Sequence, residues 1–317
     1  MASKLVQDFI KHAEEQGFYI LGAQVRKDGE VTDEWTRFPA KPRFETYSVA
    51  KTYVGAAAGI ALAEGLFDLD EPLAASFPEE TYDVTNEYAL SITPRHLLTM
   101  TSGLSETMMW RDGWERKNHP NWPRYFFTDG KFDNEPGSVF LYNNANPYML
   151  GCLIEKRAGQ NIREYLRYRL FEPLGIGNVE WGDCPLGHTI AANALSINID
   201  EMGLFGQLLV NGGEYGGKQL VPWNWVADML TAHTQETGEF IPSDPPQPAG
   251  YGYQTWIDPV NNAGYMWGIF GQYCVMLPDK NAVVSVISLD INDGGSNGQY
   301  ETSPVRKLIW DDLVTQV

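Results

Sequence analysis

The chain has 317 residues, 43% of them hydrophobic, and a formal net charge of −18 at pH 7. That length suffices for one large domain or two lobes around a shared core. The acidity argues against nucleic-acid binding and against docking on an anionic membrane, since both need a basic surface; solubility is its plainest meaning.

No apolar run approaches the length of a membrane span, and the stretch from Met1 to Asp8 reads as a helix start rather than a secretory leader. Cys152, Cys184 and Cys274 show no metal-ligand spacing, and their odd number suggests no disulfide framework. They read as buried small hydrophobes in a reducing compartment. The expectation is a cytoplasmic protein without a cofactor that acts on a small molecule. The oligomeric state stays open.

In chain order, residues 3–16 form an amphipathic helix, with Leu5, Phe9, Ile10 and Ala13 at helical spacing and Gly17 as its stop. Phe18 to Arg26 and Val31 to Phe38 are β-rich runs joined by Asp28-Gly29, a hairpin signal. A helix from about Val49 to Glu64 is so rich in alanine and glycine that neighbours must pack closely on nearly every face. Gly65 ends it. Residues 92–100 read as a helix with Thr93 at its cap and Pro94 at its first position. Residues 107–128 are rich in aromatics without a clear period and read as a long loop, a candidate lid. Its Trp110, Trp114, Trp122, Tyr125 and Phe126 either line an apolar pocket or simply pack the interior.

Further helices follow at 146–158, 162–170, 200–211 and 222–232, with a tight turn at 211–218 and a surface loop at 235–250. Strands return at 251–257, 264–268, 272–277 and 282–289, and a last helix runs from Pro304 to about Leu313. Strands at both ends and helices between imply an α/β (α+β) architecture. One antiparallel sheet is built from both chain ends and flanked by helices. The sheet lobe takes about 1–71 and 191–317, and an inserted helical lobe about 72–190. A site belongs at the seam.

Ser48 and Lys51 stand three residues apart at the start of the small-residue helix, on one side of it. The helix N-terminus favours a developing oxyanion or alkoxide, so the pair suits an activated nucleophile. Alone, a Ser-x-x-Lys match carries little weight. Tyr142-Asn143-Asn144 is the only Tyr-x-Asn in the chain and leads into the helix at Asn146; by itself it reads more simply as an N-cap cluster. Met266-Trp267-Gly268-Ile269 joins two strands. It is either a glycine-permitted turn or the place where a backbone N–H completes an oxyanion hole with that of Ser48.

Together these segments resemble the serine β-lactamase-like superfamily: class C β-lactamases, penicillin-binding DD-peptidases and family VIII carboxylesterases. The resemblance rests on Ser48-Val49-Ala50-Lys51, on Arg95 through Leu104, on Tyr142-Asn143-Asn144-Ala145-Asn146 and on Leu170-Phe171-Glu172-Pro173-Leu174-Gly175. It implies the β-lactamase/transpeptidase-like fold and an acyl-enzyme on Ser48. It implies that Lys51 or Tyr142 takes the proton, with Asn144 bonding Lys51 or a substrate amide. By the same resemblance the N–H groups of Ser48 and Ile269 form the oxyanion hole. β-Lactamases and DD-peptidases carry Lys-Thr-Gly or His-Thr-Gly on the strand beside the serine, which helps hold the substrate carboxylate. Here Met266-Trp267-Gly268 stands instead, and a Trp at that place resembles the esterase branch. The expected substrate is therefore an ester or amide without an obligatory carboxylate, with β-lactamase or DD-peptidase activity as the alternative.

Three rival readings fit the residues less well. Gly294-Gly295-Ser296-Asn297-Gly298 fits a nucleophile elbow, but no histidine follows Ser296 to complete that chain order. His12, His96, His119, His188 and His233 show no metal-site spacing, and His96 reads as structural. A non-catalytic binding or sensor protein on the same fold has no physical need for Ser48, Lys51 and Tyr142 together.

Overall fold

A computed structural model describes residues 4–109, 118–235, 250–290 and 304–317. Its main sheet begins with a hairpin of β1 (Ile20–Lys27) and β2 (Glu30–Thr36), paired antiparallel. The turn runs through Asp28 (φ 53°) and Gly29 (φ 85°). Two successive left-handed residues match the twist of the flanking strands, which is why Asp-Gly signals this turn.

Six later strands complete the sheet: β3 (Thr234–Gln235), β4 (Gly250–Tyr251), β5 (Trp256–Asp258), β6 (Ala263–Gly268), β7 (Gln272–Leu277) and β8 (Ala282–Ser288). Their order is β2-β1-β8-β7-β6-β5-β4-β3. β1 pairs antiparallel with β8, so Ile20 lies opposite Ser288. The expected antiparallel sheet from both chain ends is borne out.

Both faces of the sheet are covered, so β1 is buried at every residue but its last. On one face lie α1 (Leu5–Glu15), through Val6, Phe9 and Ala13, and the C-terminal helix from Pro304. There the Trp310 ring meets Tyr265 and Tyr273 edge-on. Against the other face packs the helix Ile199–Val210. Behind it runs α2 (Ala50–Ala63), which in turn packs on α3 (Ala145–Ala158). The small residues of α2 have specific neighbours. A Cβ on Gly59 would fall 2.0 Å from the Trp225 ring, and one on Gly55 would fall 2.8 Å from the Tyr253 carbonyl. Trp225 Nε1 also donates to Gly55 O at 2.8 Å. Tyr53 stacks on Phe205, with centroids 3.7 Å apart.

Two features depart from the sequence reading. Part of the expected loop at 107–128 is a helix, Trp122–Asp129. Asn121 caps it, its Oδ1 accepting from Arg124 N at 2.9 Å, and Pro123 occupies the first turn. Trp122 and Phe126 are buried there, against Tyr148 and Phe132 respectively. These two aromatics pack the lobe; Trp110 and Trp114 lie outside the described residues. A small three-stranded sheet also joins Phe44–Glu45, Leu195–Ile197 and Glu180–Trp181, which the short runs did not signal. Most of the expected surface loop (236–249) and the Gly294–Gly298 stretch also lie outside the described residues. The three cysteines are buried and free. Among the described residues no helix is long and apolar enough to cross a membrane.

Candidate active site

Ser48 sits in a tight 3-10 turn, Tyr47–Val49, that runs directly into α2. One turn on, Lys51 is 1% exposed. Its Nζ stands 2.9 Å from Ser48 Oγ, 2.7 Å from Asn144 Oδ1 and 2.9 Å from the Ala192 carbonyl oxygen. Burial drives the Lys51 pKa well below that of an ordinary lysine, because desolvation penalises the ammonium. The two carbonyl-type oxygens can only accept. When deprotonated, the amine can donate its two N–H groups to Asn144 and Ala192, which turns its lone pair toward the Ser48 hydroxyl. This geometry makes Lys51 competent to receive the serine proton. The Tyr142 ring lies on the same cluster, with Lys51 Nζ 5.0 Å from its centroid.

Three local devices put these groups together. First, the adjacent asparagines divide two tasks. Asn143 Oδ1 accepts from Asn146 N at 2.9 Å, which is the N-cap role read from the sequence. Asn144 is thereby released to face Lys51, while its Nδ2 donates to Met109 O at 3.1 Å. Second, the small sheet ties the approach to Ser48 onto the segment that carries Ala192. Phe44 pairs with Ile197, and Thr46 donates through both N and Oγ1 to Leu195 O, at 2.8 and 3.0 Å. Third, buried Glu155 on α3 anchors that segment from behind. Its Oε1 accepts from Thr189 N at 3.0 Å and its Oε2 meets His188 Nδ1 at 2.8 Å.

The strand motif forms the opposite wall. A Cβ on Gly268 would stand 2.2 Å from Thr46 O, so β6 touches the backbone leading to Ser48 as only glycine permits. Trp267 pairs across the sheet with Tyr273, and their rings stack at 6.4 Å. Trp267 also meets Trp256 at 6.0 Å, and Trp256 stacks on Tyr142 at 5.2 Å. Met266 points the other way, into the core beneath α2. Ile269 opens the turn between β6 and β7. Buried Gln272 holds that turn, its Nε2 donating to Phe270 O at 3.1 Å and Ser288 O at 2.7 Å. Ser288 Oγ donates to the same Phe270 oxygen at 2.6 Å.

Ser48, Lys51 and Asn144 thus share hydrogen bonds, the Tyr142 ring lies beside Lys51, and Gly268 abuts the Thr46 backbone that leads to Ser48. The Ala192 carbonyl is the member that sequence reasoning missed. Every residue has a carbonyl, so no side chain announces it. His96 is structural: its Nδ1 accepts from Thr93 N at 3.2 Å at a helix start. Among the described residues no cluster of three or more His, Cys, Asp or Glu is arranged to hold a metal.

Comparison with known proteins bears on the family and the fold. A family model described as Beta-lactamase matches residues 4–297. A β-lactamase of Escherichia coli K12 is 29% identical over 154 residues, covering 45% of this chain and 35% of that protein. The chain spans about a third of the length of the curated relatives it matches. Among solved structures, EstCE1, a hydrolase with promiscuous acyltransferase activity, superposes with a TM-score of 0.73 at 18% identity, covering 98% of each chain. A D-stereospecific amidohydrolase from Streptomyces gives a TM-score of 0.69 at 18% identity, again covering 98% of each chain. At such identities these two share the fold.

Proposed function

The chain belongs to the β-lactamase family, and from that footing we propose that it is a serine hydrolase working through an acyl-enzyme on Ser48. The observation that carries the reading is Lys51: buried, held by two acceptors, and 2.9 Å from Ser48 Oγ. Ser48 Oγ attacks a substrate carbonyl while its proton passes to Lys51 or, through that same cluster, to Tyr142. The N–H groups of Ser48 and Ile269 stabilise the oxyanion. Collapse breaks the bond to the leaving alcohol or amine, which takes the proton. Water then attacks the Ser48 ester by the same steps in reverse order and frees the acid.

The substrate in this reading is a small ester or amide without an obligatory carboxylate. Trp267, on the strand beside the serine, offers no charge to pair with one, and Met266 turns away into the core. The similarity to the Escherichia coli β-lactamase favours a second reading, hydrolysis of a β-lactam. One comparison tests both: turnover of a short-chain p-nitrophenyl ester against nitrocefin and a D-Ala-D-Ala peptide, in wild type and Ser48→Ala. The expected result is preference for the ester and loss of its turnover in Ser48→Ala. Strong preference for nitrocefin or the peptide overturns the substrate assignment, and turnover retained in Ser48→Ala overturns the nucleophile.

A further inference from the structure

Two aromatic residues beside the serine adopt backbone that side-chain-bearing residues avoid. Tyr47, directly before Ser48, has φ 50°; Phe270, directly after Ile269, has φ 68°. In the left-handed region Cβ crowds the following carbonyl, so such positions usually fall to glycine or asparagine. The next residue, Gly271, follows that usage: at φ 82° it leaves no room for a Cβ, which would lie 2.0 Å from Ser288 Oγ. Tyr47 and Phe270 do not follow it. Both are half-buried, and their rings meet edge to face, with centroids 5.1 Å apart and planes at 71°. That is a favourable quadrupolar arrangement. Strained backbone persists when its surroundings over-determine it, and such positions gather at functional sites.

The two residues stand on segments more than two hundred positions apart in sequence, each next to one of the two N–H groups assigned to the oxyanion hole. We propose that the Tyr47–Phe270 ring pair is a positioning device that fixes the separation of those two donors. The inference rests on the acyl-enzyme reading above. On the Phe270 side, Gln272, Ser288 and Asp290 already hold the carbonyl from within. The ring contact adds a side-chain link across the gap to the nucleophile's own turn. Donors held in place before reaction need no reorganisation as charge develops, so the pair acts on kcat rather than on substrate affinity.

The test is a double-mutant cycle on p-nitrophenyl acetate hydrolysis with Tyr47→Gly, Phe270→Gly and the double variant. Glycine accepts positive φ, so each variant removes a ring without opposing the backbone. Each single variant is expected to lose about 10-fold or more in kcat with KM little changed. The double variant should lose no more than the worse single one, since either change breaks the same contact. Tyr47→Phe, which keeps the ring, should recover the rate lost in Tyr47→Gly. Endpoint labelling of Ser48 by a fluorophosphonate verifies that each variant is folded. Where a glycine variant is not folded, Phe270→Leu replaces it and must still lower kcat. Unchanged kcat in fully labelled variants, or losses that multiply in the double variant, overturn the pairing alone. No label on wild-type Ser48 overturns the acyl-enzyme reading and the pairing with it.

Discussion

Gly268→Ala probes the contact between β6 and the nucleophile's turn. The added Cβ would lie 2.2 Å from Thr46 O. An ordinary carbon–oxygen contact is about 3.3 Å, so the strand and the Thr46 backbone must part by about 1 Å. Neither side yields freely. Thr46 is held by two bonds to Leu195 O, and Gln272, whose Cβ is also only 3.2 Å from the new methyl, is fixed to the turn. Overpacking of this kind costs about 1–3 kcal/mol of stability. The separation falls between Ser48 and Ile269, where a displacement of about 1 Å costs roughly 100-fold in rate. The expected outcome is a kcat for p-nitrophenyl acetate lower by about 100-fold, about 2.7 kcal/mol of barrier, with KM altered much less. Gly177→Ala is the control. Its Cβ meets only Arg43 Nη2, at 3.8 Å, and its kinetics should match wild type. A folded Gly268→Ala enzyme with wild-type kcat would refute the claim that this approach sets the geometry of the site.

Two more outcomes follow from the same contacts. Burial lowers the Lys51 pKa; with its neutral amine as the base, kcat/KM should rise with pH along a limb centred well below the pKa of an ordinary lysine. The sign is fixed: protonation at lower pH occupies the lone pair and removes activity. A limb at the free-lysine position in the pH profile would contradict burial as the controlling factor. Gln272→Leu should lower stability by about 1–3 kcal/mol in urea denaturation, because it leaves the Ser288 carbonyl, now bonded at 2.7 Å, without its buried donor.

The side chains of the site were largely legible because spacing constrains them. Ser48 and Lys51 must share a helical face, and only one Tyr-x-Asn exists to meet them. The N-cap and active-site readings of 142–146 competed on paper, yet the structure leaves room for both: Asn143 caps the helix and Asn144 bonds Lys51. Nothing in residue type tells which of two adjacent asparagines turns inward. The antiparallel sheet was legible from β-rich runs at both chain ends and from Asp28-Gly29. The helix Trp122–Asp129 was not, because it buries aromatics without a clean period, although Asn121 and Pro123 did mark its start. The small sheet escaped because strands of two or three residues carry no periodicity. With it went the Ala192 carbonyl, a main-chain group set by topology alone. The positive φ of Tyr47 and Phe270 was invisible for a related reason: neither residue type advertises it.

The pairing of β1 with β8 also governs when this protein comes to life. Ser48 and Lys51 leave the ribosome early, yet the carbonyl that helps hold Lys51 lies 141 residues further on. At bacterial-to-eukaryotic synthesis rates of roughly 5–20 residues per second, that interval alone is roughly 7–28 s. Until then the lysine lacks the burial that lowers its pKa. The strand that follows Ile269 and the one that closes on β1 arrive later still. On the acyl-enzyme reading, the nucleophile is therefore expected to wait for the last long-range strand pairing, a slow non-local step.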